Sequence, residues 1–269
     1  MTVSGDSPRV VILGGGFAGL YAARTLAKAA VSVTLLDRKN HHVFQPMLYQ
    51  VATAALNPAD IAAPIRSILS KQQNCHVLLA EATRIDVAAK TVETEGGKIP
   101  FDYLIVATGA GHSYFGHDEW ADRAPGLKTI EDALEIRRRV FLSYEKAERE
   151  TDPEKRRALM TFVVIGAGPT GVEMAGALAE ISRRTLARDF RTIDPKSARI
   201  ILVEGLGRVL PPFPEDLSAQ ARTQLETLGV EVWTGMRVTN VDETGVTLGA
   251  DRVSAVSYTH LTLPTKRIV

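Results

Sequence analysis

Residues 9–20 of the chain read Arg9-Val10-Val11-Ile12-Leu13-Gly14-Gly15-Gly16-Phe17-Ala18-Gly19-Leu20. The first five residues form a short apolar and largely β-branched run, which is typical of a parallel strand buried on both faces. The Gly14-x-Gly16-x-x-Gly19 spacing permits a tight turn, the close approach of a pyrophosphate, and close packing of helix on strand. The stretch therefore predicts a strand, a phosphate-binding turn and a helix whose N-terminus faces the phosphate.

A second strand is predicted over residues 31–36 and ends at an acid, Asp37. Asp37 lies 18 residues after Gly19, where a carboxylate is placed to accept hydrogen bonds from the ribose of a dinucleotide. Three glycines before a helix also occur in turns that bind nothing. Because strand, turn, helix, second strand and acid follow in the expected order, the sequence favours dinucleotide binding over such a turn.

The same pattern returns at residues 161–173, which read Thr161-Phe162-Val163-Val164-Ile165-Gly166-Ala167-Gly168-Pro169-Thr170-Gly171-Val172-Glu173. The following strand, residues 199–203, ends at Glu204, the counterpart of Asp37. Gly171 and Glu204 are 33 residues apart, and a long helix over 172–190 with a loop over 191–197 is expected to absorb the surplus over the usual spacing of about 20. A carboxylate here repels a 2′-phosphate and favours NAD(H) over NADP(H), although nearby Arg208 weakens this inference.

The composition is that of an ordinary soluble protein. The 269 residues are 45% hydrophobic and 23% charged, and they suffice for one large or two ordinary domains. A net charge of +1 gives no electrostatic argument for nucleic acid. No apolar run approaches the roughly 18 residues of a spanning helix, and the N-terminus lacks signal-peptide features, so a cytoplasmic setting is the default. The single cysteine, Cys75, excludes an internal disulfide and is interpreted as a small buried hydrophobe.

Residues 38–53 are too irregular for a strand and too apolar for a solvent loop, so we expect them to cover a site. His41 and His42 have no third metal ligand at a useful spacing, and we interpret them as loop or ligand-contacting histidines. A helix is predicted from Asn57 to about Ser70. Its inner face carries Ile61, Ile65, Ile68 and Leu69.

An antiparallel meander is predicted over residues 76–99, followed by an apolar strand over 101–109. The strand ends in Ala107-Thr108-Gly109, whose small residues allow a flat ligand near the backbone. A plain exit from strand to loop is the alternative.

Thr129 and Asp132 resemble a capping pair that begins a helix reaching about Thr151. Its run of arginines at 137–139 is interpreted as a solvated helix face rather than a nucleic-acid or lipid patch, because acids surround it. A further helix is predicted from Pro214 to Leu228, and residues 230–248 predict a hairpin-like segment.

Residues 256–265 read like the in-frame translation of a common sequencing-library adaptor, with a native polar tail as the alternative. We therefore set residues 256–269 apart as a non-native tail in reasoning about the fold, and we expect the natural chain to be interrupted within a domain.

Residues 9–255 resemble the type II NADH:quinone oxidoreductases, which are two-dinucleotide-fold flavoproteins related to the pyridine nucleotide-disulfide oxidoreductases. The resemblance is carried by Phe44-Gln45-Pro46-Met47-Leu48-Tyr49-Gln50-Val51-Ala52-Thr53, by Asp60-Ile61-Ala62-x-Pro64-Ile65-Arg66, and by Gly166-Ala167-Gly168-Pro169-Thr170-Gly171-Val172-Glu173. It implies an α/β fold of two Rossmann-like dinucleotide-binding domains of the three-layer ββα type, with the NADH domain inserted into a discontinuous FAD domain.

The implied boundaries are residues 1–112 for the first part of the FAD domain, 113–158 for a helical connector, and 159–255 for an incomplete NADH domain. The implied FAD-binding residues are Gly14, Gly16, Phe17, Ala18, Gly19, Asp37, Arg38, Gln45, Pro46, Ala107, Thr108 and Gly109. The implied NADH-binding residues are Gly166, Gly168, Thr170, Gly171, Glu173 and Glu204, and Glu173 is also the implied catalytic residue, close to the nicotinamide.

The implied activity is hydride transfer from NADH to FAD, followed by reduction of a membrane quinone. The implied setting is the inner face of the cell membrane, which the protein reaches through a C-terminal anchor. A homodimer is compatible with the resemblance. Hydride transfer needs no protein acid, base or nucleophile, so the residues would align the two rings and exclude water.

The family's second FAD-contacting segment, glutamine-rich quinone motif and membrane anchor are absent from this sequence. We therefore expect this chain to hold FAD poorly and to show negligible quinone turnover. Disulfide reductases are excluded by the lack of a cysteine pair, and sulfide:quinone reductase is disfavoured by the single cysteine. A soluble NADH-dependent ferredoxin or rubredoxin reductase and an inactive nucleotide-binding fragment are the alternatives.

Overall fold

A computed structural model describes residues 7–255 and 257–260 of the chain. The contacts divide the chain into two compact units. Unit 1 comprises Met1–Phe44 and Ala59–Ala110, and unit 2 comprises Gln45–Pro58 and Gly111–Val269. The segment from Gln45 to Pro58 therefore groups with unit 2, although both of its flanks belong to unit 1.

The strands are β1 (Arg9–Leu13), β2 (Ser32–Asp37), β3 (His41–Val43), β4 (Ala62–Pro64), β5 (Cys75–Leu79), β6 (Arg84–Asp86), β7 (Thr91–Thr94), β8 (Gly97–Pro100), β9 (Tyr103–Val106), β10 (Thr161–Ile165), β11 (Arg199–Glu204), β12 (Val230–Thr234), β13 (Val238–Asp242), β14 (Gly245–Leu248), β15 (Asp251–Ser254) and β16 (Ser257–His260). The α-helices are α1 (Phe17–Thr25), α2 (Leu48–Ala52), α3 (Pro58–Ile61), α4 (Ile65–Ile68), α5 (Ile130–Arg149), α6 (Pro153–Leu159), α7 (Pro169–Glu180) and α8 (Glu215–Thr227). Among these described helices, none is both long enough and apolar enough to cross a membrane.

Unit 1 is built on a parallel sheet with the strand order β5-β2-β1-β9. One face of the sheet, which includes Val10 and Ile12, packs on residues of α1 and α4 such as Leu20 and Ile65. The other face, which includes Val11, packs on Val92 of the β6-β7-β8 sheet and on Phe101. Both faces of β1 are buried, as its apolar run predicts, and the layers are those of the ββα type.

The predicted antiparallel meander is wrong in its first part. The strand β5 pairs in parallel with β2, with Val33 opposite Cys75 and Asp37 opposite Leu79, and so belongs to the main sheet. Only β6, β7 and β8, residues 84–100, form the antiparallel meander. A short apolar run does not reveal its pairing partner, because that choice depends on residues distant in sequence.

The predicted helix from Asn57 to Ser70 is interrupted. It breaks into α3 and α4, and the residues between them form β4, which pairs antiparallel with β3. Pro64 explains the break, since proline lacks an N–H donor and holds the preceding residue in an extended conformation. Ile61, Ile65 and Leu69 are nevertheless buried, as predicted for the inner face.

Unit 2 repeats the architecture with the parallel strand order β12-β11-β10-β16. One face, which includes Val163 and Ile201, packs on residues of the β13-β14-β15 sheet such as Val246. Helix α7 packs against β10, β11 and β12. The strand β16 lies within the tail that we set apart, so residues 257–260 take part in the sheet. Residue 256 and residues 261–269 lie outside the described residues, and the non-native origin of the tail stays a prediction.

Two further predictions for unit 2 need correction. The strand β12 pairs in parallel with β11 and does not belong to the hairpin-like segment, which is confined to β13, β14 and β15. Helix α7 ends at Glu180 and passes into one π-helical segment, Ile181–Thr185, so it stops before the predicted Phe190.

The long helix α5 follows its prediction closely. Thr129 is the N-cap, its side chain accepts a hydrogen bond from the Asp132 N–H, and the Asp132 side chain accepts one from the Thr129 N–H. This reciprocal pair satisfies N–H groups that the helix itself leaves without partners. Arg138 is exposed and pairs with Glu135, in agreement with a solvated helix face, whereas Arg139 is only 25% exposed and donates to Glu135 and to the Asp122 and Arg123 carbonyls.

Candidate dinucleotide-binding sites

The first glycine turn lies between β1 and α1 in unit 1. Gly14 adopts a φ of +101°, and its N–H donates a 2.7 Å hydrogen bond to the Leu36 carbonyl. A side chain on Gly14 would overlap the Ala107 carbonyl at the end of β9, and one on Gly19 would overlap the Gly14 carbonyl. Glycine is therefore required at both positions by close backbone approach, whereas Gly16 faces open space and is exposed.

The Asp37 carboxylate lies against this turn at the end of β2. One oxygen accepts a hydrogen bond from the Gly15 N–H, and the other accepts a 2.6 Å hydrogen bond from the Lys39 N–H. Both bonds hold the acid in place beside the glycines, because each fixes a different carboxylate oxygen. The predicted juxtaposition of acid and turn is present in the structure.

A cavity of about 220 Å³ opens beside the turn within unit 1. It is lined by Leu13, Gly14, Leu36, Asp37, Arg38, Ala80, Glu81, Ala82 and Thr108. The cavity therefore brings together four predicted site residues, Gly14, Asp37, Arg38 and Thr108. An open glycine at a helix N-terminus, with an acid and a cavity beside it, fits the adenosine and pyrophosphate parts of FAD.

Sequence reasoning missed the lining contributed by Ala80, Glu81 and Ala82. These residues follow β5, whose parallel pairing brings its C-terminal end next to Asp37, and the Ala80 N–H donates a 3.0 Å hydrogen bond to the Asp37 carbonyl. The apolar run Cys75–Leu79 was the available signal. Interpreted as a third parallel strand, it would have predicted that the residues after it face the site.

The remaining predicted residues of unit 1 lie at the ends of the same elements. Phe17 and Ala18 are exposed in the first turn of α1, while Ala107 and Gly109 follow β9, with Gly109 at a φ of +73°. Gln45 and Pro46 lie instead in unit 2, in a short 3₁₀ helix, Gln45–Met47. Their predicted position beside a flavin stays a prediction.

The second glycine turn repeats the first almost bond for bond. Gly166 has the same φ of +101°, and its N–H donates a 2.8 Å hydrogen bond to the Val203 carbonyl. A side chain on Gly171 would overlap the Gly166 carbonyl. Gly168 is the N-cap of α7, and Pro169 and Thr170 follow it in the first turn.

The Glu204 carboxylate occupies the position of Asp37. It accepts hydrogen bonds from the Ala167 N–H at 2.8 Å and from the Leu206 N–H at 2.9 Å. Arg208, the cation that weakened the inference of NAD(H), pairs with Glu215 at 2.8 Å and donates to the Pro211 carbonyl. The acid and turn thus fit the adenosine ribose and pyrophosphate of a second dinucleotide.

Glu173 lies in α7, five residues after the N-cap Gly168. Its side chain contributes to a groove of about 290 Å³ in unit 2, together with Tyr49, Gly176 and Glu180. Glu173 is exposed, and partial desolvation by the surrounding protein raises its pKa. Among the described residues, none forms a hydrogen bond or ion pair with the Glu173 carboxylate, and its place beside a nicotinamide stays a prediction.

Metal and thiol chemistry find no support among the described residues. No group of three or more His, Cys, Asp or Glu residues in that part of the chain could hold a metal ion. Burial raises the pKa of the Cys75 thiol to about 11, so the reactive thiolate is disfavoured at neutral pH.

The two turns define a chain with two dinucleotide-type βαβ units. The chain belongs to the pyridine nucleotide-disulphide oxidoreductase family, whose sequence model matches residues 8–263.

Two curated relatives are type II NADH:quinone oxidoreductases of Mycobacterium tuberculosis. Ndh is 50% identical over 89% of this chain and 53% of its own length, and NdhA is 48% identical over 92% and 55%. The chain therefore spans about half the length of these relatives.

A solved structure supports the fold. The NDH2 structure from Plasmodium falciparum, in complex with RYL-552, matches with a TM-score of 0.89 at 24% sequence identity, over 95% of this chain and 55% of that one. The expected α/β architecture with Rossmann-like parallel sheets is confirmed.

Proposed function

We propose that unit 1 binds FAD, that unit 2 binds NADH, and that the protein is an NADH:quinone oxidoreductase. The observation that supports this proposal most directly is a repeated geometry. Asp37 and Glu204 each accept hydrogen bonds from two backbone N–H groups beside a glycine turn. Two dinucleotide turns in one chain are expected where two cofactors react with each other. The names of the two mycobacterial relatives support quinone as the second substrate.

In this proposal the chain's own residues bind and orient. Gly16 and Gly168 would leave their backbone open to a pyrophosphate at the N-termini of α1 and α7. Asp37 and Glu204 would accept hydrogen bonds from the two adenosine riboses. Bound FAD would supply the two-electron chemistry that accepts hydride from NADH and passes electrons to quinone.

The finer assignments belong to the same proposal. Glu173 would lie near the nicotinamide, while Gln45, Pro46, Ala107, Thr108 and Gly109 would lie near the flavin. Peripheral contact with the inner face of the cell membrane, and a homodimer, are proposed for the whole protein.

Crossed variants of the 269-residue chain test the assignment of FAD and NADH to the two units. Asp37→Asn should weaken FAD and leave NADH unchanged, whereas Glu204→Gln should weaken NADH and leave FAD unchanged. Both affinities are measured by titration, with FAD fluorescence for unit 1 and calorimetry for NADH. Equal effects of either variant on both nucleotides would contradict the assignment.

Electron transfer is then followed through the absorbance of bound flavin in a full-length version of the protein, because the 269-residue chain is expected to hold FAD poorly and spans about half the length of its relatives. Anaerobic NADH should bleach this absorbance, and a short-chain quinone should restore it. Restoration by ferredoxin and not by quinone would favour a ferredoxin reductase. Nucleotide binding without bleaching would leave only a nucleotide-binding fragment.

A further inference from the structure

In each glycine turn, the carbonyl of the residue between the first two glycines accepts a hydrogen bond. The residue is Gly15 in unit 1 and Ala167 in unit 2, and the two donors are of different kinds. In unit 2, the Ala167 carbonyl accepts a 2.8 Å hydrogen bond from the Leu210 backbone N–H. In unit 1, the Gly15 carbonyl lies 3.0 Å from Nδ1 of His42. Both donors follow the acid-bearing strand, so a histidine side chain in unit 1 takes the place that a main-chain N–H takes in unit 2.

His42 is itself fixed in place. It lies in β3, which pairs with β4, so that His42 stands opposite Ala63. Its ring meets the Phe17 ring edge to face, with centroids 5.0 Å apart and an interplanar angle of 85°. Phe17 is the first residue of α1, so His42 contacts the turn on both sides of Gly16.

Holding the Gly15 carbonyl also orients the N–H of Gly16. The peptide between these residues is trans, so its carbonyl and its N–H point in opposite directions across one rigid plane. Gly15 is buried and its N–H is bonded to Asp37, while Gly16 is exposed with open space beside it. With the carbonyl directed at His42, the Gly16 N–H points away from His42, on a residue that is exposed.

We infer that His42 is a positioning residue for the pyrophosphate of the dinucleotide bound in unit 1, an inference that rests on the proposed function. A carbonyl oxygen can only accept, so Nδ1 of His42 carries the proton in this hydrogen bond. Without that donor, the peptide plane is free to rotate and the Gly16 N–H loses its direction. The turn of unit 2 does not depend on a side-chain donor in this way. Its donor is the backbone N–H of Leu210, which only a substitution to proline would remove.

Three variants of the full 269-residue chain test this role. His42→Phe keeps an aromatic ring against Phe17 and removes the donor, and His42→Asn restores an N–H donor close to the position of Nδ1. His76→Phe, at an exposed position on β5, controls for the loss of a histidine from the same unit. Binding of FAD, ADP and adenosine is followed through the Gly14 and Gly16 amide signals of ¹⁵N-glycine-labelled protein, which reports on unit 1 alone.

We expect His42→Phe to weaken FAD and ADP about tenfold, and His42→Asn to recover most of that loss. Adenosine should bind all three variants like the unmodified chain, because its ribose contact through Asp37 does not involve the Gly16 N–H. The imidazole nitrogen signals of neutral His42 should show the proton on Nδ1.

Unchanged FAD and ADP binding in His42→Phe would overturn the role of His42, as would equal losses in the Phe and Asn variants. An equal loss of adenosine would also overturn it, since that result marks general loosening of the unit. If FAD leaves the Gly14 and Gly16 signals of the unmodified chain unshifted, the proposed function of unit 1 fails, and the role of His42 fails with it.

Discussion

The Oε2 atom of Glu204 accepts a 2.8 Å hydrogen bond from the backbone N–H of Ala167. This bond joins the end of β11 to the glycine turn after β10, two elements that lie 37 residues apart in sequence. The Leu206 N–H binds the other carboxylate oxygen, so the acid is held at a fixed place and orientation. A charge fixed in this way discriminates between ligands by their own charge at that position.

Replacing Glu204 by Gln should narrow the preference for NADH over NADPH. The neutral amide no longer repels a 2′-phosphate, and we expect the ratio of the two affinities to fall on the order of tenfold. Calorimetric titration with both coenzymes gives the ratio. Glu243→Gln removes a largely exposed charge from the same unit and should leave the ratio unchanged. An unchanged ratio in Glu204→Gln would falsify the assignment of Glu204 to coenzyme choice.

Replacing Glu173 by Ala should slow the reduction of bound flavin by NADH more than it weakens FAD retention. The proposed reason is that Glu173 orients the nicotinamide, and misalignment of reacting rings costs on the order of tenfold to hundredfold in rate. Stopped-flow reduction at saturating NADH measures this effect. Glu226→Ala, on helix α8 of the same unit and paired with Arg222, is the matched control because Glu226 does not line the groove of Glu173. A rate equal to that of the unmodified protein would remove Glu173 from the mechanism.

Alanine at Gly19 or Gly171 should damage one unit at a time. The new methyl group would overlap the Gly14 carbonyl in the first case and the Gly166 carbonyl in the second. We expect a loss of about 1–3 kcal/mol in the stability of the affected unit, with FAD binding lost from one and NADH binding from the other. Gly96→Ala, whose nearest neighbour would be 3.7 Å away, is the control. Thermal unfolding with each nucleotide separates the two effects, and loss of both nucleotides in either variant would contradict independent turns.

Replacing Tyr144 by Phe should reduce the fall in the free energy of unfolding as the pH rises above 10.0. Tyr144 is buried, with its hydroxyl 2.7 Å from Ser182 Oγ, and desolvation raises its pKa from 10.0 to about 12. Because the folded pKa is higher than the unfolded one, the contribution is fully present below pH 10.0 and is lost as the pH rises towards about 12. Urea unfolding across this range measures the slope.

At neutral pH the Tyr144→Phe variant should lose about 1 kcal/mol, since one hydrogen bond is removed and Ser182 still donates to the Leu178 carbonyl. Tyr21→Phe alters an exposed phenol and should leave this pH dependence as it is. Identical alkaline slopes for Tyr144→Phe and the unmodified chain would show that another group controls the fall in stability at high pH.

Local sequence was sufficient to predict the two turns and their acids. Three signals carry this prediction: the glycine spacing, the β-branched runs and the acid at each strand end. Each acts over a few residues or over one βαβ unit, so it can be interpreted without knowledge of distant contacts. The capping pair of Thr129 and Asp132 was predictable for the same reason, because its hydrogen bonds stay within one helical turn.

The tertiary structure decided what depends on pairing between distant residues. The strand β5 pairs in parallel with β2, and β12 pairs in parallel with β11. The short apolar runs of β5 and β12 do not by themselves specify a pairing partner or a direction. The association of β4 with β3 converts the middle of a predicted helix into a strand, where Pro64 already disfavours helix. The hydrogen bond from His42 to the Gly15 carbonyl joins residues 27 positions apart, so only the folded chain could show which donor holds the first turn.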